Sequence, residues 1–135
     1  MEGSIADLAR IRLERAHEML KSAQVNLEQN ELRTSLNRSY YSIFHAIRSV
    51  NCLDGFDSSK HSGVIAHFNE YTLKTKEMDA KFSDTIKQAY YCREKSDYDD
   101  FYIVSRSETE EQLRKAEEFL KAVDIYVEQR IASVQ

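Results

Sequence analysis

The sequence predicts an all-α protein that folds as a single domain, residues 1–135. It contains no proline and only three glycines, so little interrupts long helices and little is available for tight turns. Charged residues make up 31% of the chain and hydrophobic residues 41%, which suits helices that bury one apolar face. A domain of this length buries roughly two thirds of its unfolded surface. We therefore expect a hydrophobic core that needs no disulfide or metal to hold it.

The first predicted helix runs from about Ile5 to Gln29. Ser4 and Asp7 have the spacing of a capping box at its start. Apolar residues then recur at helical intervals, namely Leu8, Leu13, Ala16, Leu20, Ala23 and Leu27. Charged residues occupy the opposite face, which predicts an ordinary solvated surface. They are Arg12, Glu14, Arg15, Glu18 and Lys21.

The second predicted helix is capped by Asn30 and extends to about Asn51. At about 100° per residue, six large side chains fall on one apolar stripe. They are Leu36, Tyr40, Ile43, Phe44, Ile47 and Val50. The opposite face holds Arg38, Tyr41, Ser42, His45 and Arg48, and it has no carboxylate. A helix face in bulk water usually carries both Glu and Lys. We therefore expect this second face to contact something as well.

A loop and a short helix are predicted next. Residues 52–59 are rich in Gly, Asp and Ser, which favours a loop, and we expect it to be the most mobile segment. Ser58 or Ser59 can cap a short helix that ends near Phe68. His61 lies in its first turn, where free amides favour anions, although a capping or packing role is equally open. His67 has no polar companion at helical spacing, and no role is expected for it.

The remainder of the chain predicts two further helices. Residues 73–80 are polar and poorly periodic, which favours a linker or a ragged helix end. A helical stripe resumes at Phe82 and leads into a segment, residues 90–102, in which five of thirteen residues are aromatic. Such density is typical of packing against a neighbour or a ligand. Ser107 and Glu110 have capping-box spacing, and the last helix is predicted to reach about Ile131.

Composition also excludes several classes of protein. No stretch approaches the ~20 apolar residues of a membrane span, and the N-terminus lacks the apolar region of a signal peptide, so we expect a cytoplasmic protein. The net charge of −4 argues against a sequence-independent nucleic-acid coat. Cys52 and Cys92 lack CxxC spacing, which favours free, buried thiols over a zinc site. No glycine-rich phosphate loop or metalloprotease motif is present, and we expect no cofactor and no metal.

The candidate functional residues fall in two groups. Arg38, Tyr41 and His45 share the polar face of the second helix, with Arg38 and His45 two turns, or about 10.5 Å, apart. Such a pair can hold two ends of a nucleotide or phosphodiester, or can belong to a buried polar network. Arg93 and Asp97 are four residues apart, so an ion pair within one helix is the simplest interpretation, and bridging to the second helix or to a ligand is the alternative.

Three segments, in this order, resemble the HEPN superfamily and most closely its UPF0332-like branch. They are RSYYSIFHA at residues 38–46, KHSGV at 60–64 and REKSDY at 93–98. The similarity spans about residues 13–127. The resemblance implies an up-and-down bundle of four to five helices, usually a homodimer with a polar cleft near its interface. It also implies an association with minimal nucleotidyltransferases in toxin or defence systems.

Many HEPN proteins are metal-independent ribonucleases that use an arginine and a histidine separated by four to six residues. Here the corresponding segment is best matched by Arg93 to Asp97 and Tyr98, and aspartate stands where the histidine is expected. An ordinary aspartate has a pKa of about 3.9, a poor match for base catalysis near neutrality.

The first hypothesis is therefore a homodimeric binding module, not an enzyme, that partners a minimal nucleotidyltransferase in a toxin-antitoxin-like pair. It would hold a nucleotide or RNA phosphate with residues drawn from the two polar groups and the short helix. These candidates are Arg38, Tyr41, His45, His61, Arg93, Asp97 and Tyr98. The alternatives are a metal-independent endoribonuclease that uses Arg38 with His45 or Arg93 with Asp97, and a polar face that serves only as a dimer contact.

Overall fold

The structure, a computed structural model, describes residues 3–133. Within that range the chain forms five α-helices and no strand, which confirms the predicted all-α class. The helices are α1 (Ile5–Glu28), α2 (Leu32–Leu53), α3 (His61–Phe68), α4 (Phe82–Tyr98) and α5 (Arg106–Ser133). None of them combines the length and the apolar character required to cross a bilayer.

The central element is α2, which packs against each of the other four helices. Its predicted apolar stripe is buried throughout, and Tyr40, Ile43 and Ile47 are among its largest fully buried side chains. Phe119 of α5 belongs to the same core and contacts Phe68 and Phe82 edge to face. The core stripe read from the sequence is therefore confirmed.

Small residues bring α1 and α2 together. Three buried serines on α2, spaced seven residues apart, each donate a hydroxyl hydrogen bond to the backbone carbonyl of a buried alanine on α1. The pairs are Ser35 with Ala23 (2.7 Å), Ser42 with Ala16 (2.9 Å) and Ser49 with Ala9 (2.7 Å). A seven-residue repeat keeps one seam facing the partner helix. Part of the second face of α2 thus contacts α1, as the missing carboxylates indicated.

The start of α1 follows its prediction and that of α2 does not. Ser4 and Asp7 form a reciprocal capping box, so that prediction is confirmed. Asn30, predicted to cap α2, instead has a φ of 61°, and Glu31 occupies the cap position without a side-chain hydrogen bond. Asparagine tolerates this left-handed conformation better than most residues, which suits the tight turn between the helices.

The cap of α5 lies two residues before its predicted position. The Ser105 hydroxyl accepts a hydrogen bond from the Glu108 amide (3.1 Å), so the predicted box of Ser107 and Glu110 is wrong. Ser105 and Glu108 have the same S-x-x-E spacing as Ser107 and Glu110, so this pattern alone does not distinguish the two registers. The carboxylate of Glu108 accepts a hydrogen bond from the Tyr102 hydroxyl instead of returning to the cap.

The loop after α2 makes more contacts than its composition indicated. Asp54 pairs with Arg130 of α5 (2.9 Å) and with His67 (2.9 Å), whose ring stacks on Phe56 at 4.1 Å between centroids. The expectation that His67 has no role is therefore wrong. After α3 the helix widens into one π-helical turn, Asn69–Leu73, and residues 74–81 form the irregular linker that the sequence predicts.

Candidate functional site

Arg93 of α4 lies at the centre of the candidate site. Its side chain is only 14% exposed, and its guanidinium lies over the rings of Tyr40, Tyr41 and Tyr98 at 5.5–5.9 Å from each centroid. One of its nitrogens donates a hydrogen bond to the Tyr41 hydroxyl (3.3 Å). The guanidinium thus lies among aromatic faces, an interaction that strengthens as water is excluded.

Two carboxylates accompany the guanidinium of Arg93. Its Nε lies 3.1 Å from Oδ2 of Asp97, and Nη1 lies 3.4 Å from the carboxylate of Glu94. The predicted ion pair of Arg93 and Asp97 is therefore present, and both carboxylates are more exposed than the arginine they contact. The Asp97 contact is close in distance but poorly aligned for a hydrogen bond, since Nε has no partner of good geometry among the described residues.

His61 joins this group through Tyr40. The Tyr40 hydroxyl and the His61 Nδ1 share a hydrogen bond of 2.6 Å, and the His61 ring stacks on Phe44 at 4.1 Å. Burial and the nearby Arg93 charge lower the pKa of His61. Burial raises the pKa of Tyr40, so its hydroxyl keeps its proton. The hydroxyl can therefore donate to a neutral imidazole.

A small cleft opens beside Asp97. It has a volume of about 260 Å³ and is lined by Arg33, Thr34, Asn37, Arg38 and Asp97. The Arg38 guanidinium donates to the Asn37 side chain (2.6 Å) and forms no ion pair with the residues that the structure describes. Arg33 stabilises the fold, because its guanidinium donates hydrogen bonds to the backbone carbonyls of Ser96 and Tyr102. Arg38 is thus the cation in this cleft that remains available to a ligand.

The ring of His45 lies 6.2 Å from that of Tyr41 between centroids, but the largest charges acting on it are not those of Arg38 or Arg93. His45 belongs to a different electrostatic neighbourhood, that of Arg12, Arg15 and Arg48. Burial, followed by the charges of these three arginines, lowers the pKa of His45 to about 4, so the ring is neutral near pH 7. Its Nδ1 is buried and has no hydrogen-bond partner in the described part of the chain. The expectation that His45 and Arg38 act on one ligand therefore gains no support from their surroundings.

Tyr98 of the site and the segment that follows α4 carry exposed aromatic and aliphatic side chains. Tyr98 is 71% exposed although its ring lies over Arg93, and Phe101 and Ile103 of the following segment are almost fully exposed. The sequence singled out this aromatic density but did not show which rings face solvent. The apolar stripe of α2 predicted a core role alone for Tyr40, and no site role was predicted for Glu94. Tyr40 contacts the site because α2 and α4 pack together, whereas Glu94 follows Arg93 directly on α4.

The cleft beside the linker before α4 has no arginine among its lining residues. It has a volume of about 360 Å³, lies between Lys81 and Tyr126 and is flanked by acidic residues of the linker. The two thiols are buried, and burial raises the pKa of Cys92 to about 11, which leaves it protonated. Within residues 3–133, no three His, Cys, Asp or Glu side chains cluster as metal ligands.

The fold and the site together define a helical-bundle domain with an arginine set among tyrosines beside a polar cleft. A family model described as "HEPN domain" matches residues 9–126 of this chain. The chain therefore belongs to the HEPN domain family, and the resemblance drawn from the sequence is confirmed.

Three relatives illustrate the match. The chain is 31% identical over 114 residues to the "UPF0332 protein" of Thermotoga maritima, covering 84% of this chain and 86% of that protein. It is 34% identical over 106 residues to "UPF0332 protein PH1297" of Pyrococcus horikoshii, covering 78% and 69%. It is 30% identical over 116 residues to "Putative toxin MJ0142" of Methanocaldococcus jannaschii, covering 85% and 78%.

Proposed function

We propose that this chain is the HEPN component of a toxin-antitoxin-type pair, a homodimeric binding module that partners a minimal nucleotidyltransferase. In this proposal it holds a nucleotide or RNA phosphate at Arg93, with Arg38, Tyr41 and Tyr98 beside it. The observation that carries the proposal is the guanidinium of Arg93 among three tyrosine rings. Family membership and the toxin name of one relative support the toxin-antitoxin part.

The surroundings of Arg93 suit an anionic ligand. A guanidinium among aromatic rings keeps its full charge, and the carboxylates of Asp97 and Glu94 lie on its more exposed side. A phosphate that approaches from solvent can replace these carboxylates, because charge-assisted bonds from arginine to phosphate are strong and often bidentate. The Tyr41 hydroxyl, which Arg93 already contacts, is placed to become a further hydrogen-bond donor.

The rest of a nucleotide finds complementary groups nearby. The exposed ring of Tyr98 offers a face on which a base can stack, an interaction worth about 1–3 kcal/mol per base in single-strand binding proteins. Arg38, across the cleft from Asp97, offers a second cation without an ion-pair partner among the described residues. A ligand with one phosphate at Arg93 and a second at Arg38 would use both.

Binding is favoured over catalysis by the state of the possible bases. His45, with its pKa lowered to about 4, is too weakly basic to abstract a proton efficiently near pH 7. Asp97 already forms an ion pair with Arg93, so its carboxylate is occupied by the cation that would bind the phosphate. Neither pair considered for a ribonuclease, Arg38 with His45 or Arg93 with Asp97, combines a phosphate-binding cation with a suitable base.

One observation favours a second candidate function, metal-independent RNA cleavage. His61 and Arg93 both contact Tyr40, which brings a neutral imidazole and a guanidinium into one group. For this candidate, purified protein should cut RNA in EDTA and leave cyclic phosphate ends, and His61→Ala should abolish cutting while His67→Ala should not. Intact RNA at high protein concentration would contradict it.

The ligand-binding part of the proposal is tested with inorganic phosphate and AMP. We expect Arg93→Gln to weaken binding and Asp97→Asn to strengthen it, because Asp97 competes for the guanidinium. Lys95→Gln on the outer side of α4 is a matched control, since it removes one exposed charge without touching Arg93. Equal affinities in wild type and Arg93→Gln would contradict the proposed site.

The partner part is tested separately. The genes flanking this one are sequenced, and the tagged chain is used to capture proteins from cells that express the whole locus. A nucleotidyltransferase captured at equal stoichiometry is the expected result. A locus without such a gene, or a chain that captures no nucleotidyltransferase, would contradict this part. Sedimentation of the purified chain tests the homodimer, and a monomer at micromolar concentration would refute it.

A further inference from the structure

A second arginine group lies between α1 and the loop after α2, away from Arg93. Arg12 and Arg48 each donate to a different oxygen of Asp57, at 3.0 and 2.8 Å. Arg12 also reaches the backbone carbonyl of Arg48 (3.4 Å). The predicted solvated face of α1 is therefore wrong at Arg12, whose side chain is only 11% exposed. The pattern of charges along α1 could not reveal a partner 45 residues away.

The charges in this group do not balance. Two guanidinium groups carry two positive charges, and Asp57 supplies one negative charge between them. Arg15 adds a further positive charge near His45, and the ring of His45 is neutral. Like charges brought together at a partly buried site are costly unless they are neutralised. A dianion would neutralise Arg12 and Arg48 completely, whereas a carboxylate does so by half.

The carboxylate also lies on the outer side of the arginines. The side chain of Asp57 is 56% exposed, compared with 24% for Arg48 and 11% for Arg12. Arg48 Nε is buried and has no partner within residues 3–133, and the same holds for His45 Nδ1. Displacing Asp57 would therefore uncover two preorganised guanidinium groups next to polar atoms that still lack hydrogen-bond partners.

We propose that Arg12 and Arg48 form a second anion site, specific for a terminal phosphate, and that Asp57 occupies this site as an internal substitute ligand. A phosphate monoester carries close to two negative charges near neutral pH and has three acceptor oxygens. These charges and oxygens match the two positive charges and the paired N–H donors of two guanidinium groups. A phosphodiester carries a single charge and gains no more from this site than Asp57 does. The loop that contains Asp57 must give up its ion pairs for the phosphate to bind.

The test is a titration with inorganic phosphate at constant ionic strength, followed by NMR of backbone amides and arginine side chains. Asp57→Asn removes the competing charge and keeps the size of the side chain. We expect it to bind phosphate about tenfold more tightly than wild type, a change equivalent to about 1.4 kcal/mol. The affected signals should include those of Arg12 and Arg48. Dimethyl phosphate, a monoanion, should bind at least about tenfold more weakly than phosphate.

Two variants separate binding from a purely structural role. Asp54→Asn alters the same loop by the same chemistry but frees Arg130 and His67 instead. It should leave phosphate affinity at the wild-type level. Arg48→Gln should abolish the tighter binding when combined with Asp57→Asn. If that double variant does not fold, Arg48→Lys replaces it, and a single ammonium should weaken binding because it lacks the arginine fork.

Three results would overturn the proposal. Asp57→Asn could bind phosphate no more tightly than Asp54→Asn, which would show that the ion pairs of Asp57 have a structural role only. Dimethyl phosphate could bind as tightly as phosphate, which would refute the terminal-phosphate class. The shifted signals could come from Arg93 and Arg38 alone. Arg93→Gln in the Asp57→Asn background distinguishes that last case, because the proposed second site should still bind phosphate.

Discussion

His45 should make the stability of this protein depend on pH between about 4 and 6.5. Burial and the charges of Arg48, Arg15 and Arg12 lower its pKa from an ordinary 6.5 to about 4 in the folded chain. Between these values the unfolded chain binds a proton that the folded chain excludes, so stability falls as the pH falls. At 1.36 kcal/mol per pKa unit, the loss approaches about 3 kcal/mol at pH 4.

The assay is urea unfolding of wild type and His45→Gln at several pH values from 7 to 4. We expect the wild type to lose up to about 3 kcal/mol more than the variant over this range. His61 contributes in the same direction, since its pKa is also lowered, and it remains in both proteins. His17→Gln, which removes an exposed imidazole of α1, should keep the steep loss at low pH.

A direct measurement accompanies the unfolding data. The chemical shift of the His45 ring proton is followed by NMR as the pH is lowered. Titration well below pH 6 is the expected result. Titration near 6.5, or equal pH slopes for wild type and His45→Gln, would refute the placement of a neutral imidazole among these arginines.

Two further predictions concern the helices. Ser42→Leu should destabilise the fold by about 1–3 kcal/mol, because the larger side chain separates α1 from α2 and the hydrogen bond to the Ala16 carbonyl is lost. Thermal or urea unfolding measures the loss of stability. Ser105→Ala should lower the free energy of unfolding by about 1 kcal/mol, because the Ser105 hydroxyl accepts a hydrogen bond from the Glu108 amide. Ser107→Ala should lower it by less than about 0.5 kcal/mol. A larger loss for Ser107→Ala than for Ser105→Ala would show that the cap lies at Ser107, as the sequence predicts.

The sequence predicts the helices well because their signals are local. The apolar stripe of α2 and the capping box at Ser4 depend on residues within a few turns of one another, and both are confirmed. The cap of α5 was predicted at Ser107 and lies at Ser105, because both registers satisfy the same local pattern. The left-handed turn at Asn30 was also not predicted, because asparagine serves equally well as a helix cap.

The site was only partly predictable because its contacts cross between helices. Arg93 and Asp97 could be paired from their spacing, but the contact between Arg93 and Tyr41 depends on how α2 packs against α4. Periodicity places Tyr41 and His45 on one side of α2, and it cannot show that the charges of Arg12 and Arg15 on α1 act on His45. For the same reason the ion pair of Arg12 with Asp57 could not be anticipated.

The central claim, that Arg93 is the core of a phosphate-binding site, is tested most directly by titrating AMP into wild type and Arg93→Gln by calorimetry. Hydrogen bonds to charged groups contribute about 1.5–3 kcal/mol, so the variant should bind AMP at least about tenfold more weakly. Both proteins should have the same helical circular dichroism. Equal AMP affinity in two folded proteins would contradict the account.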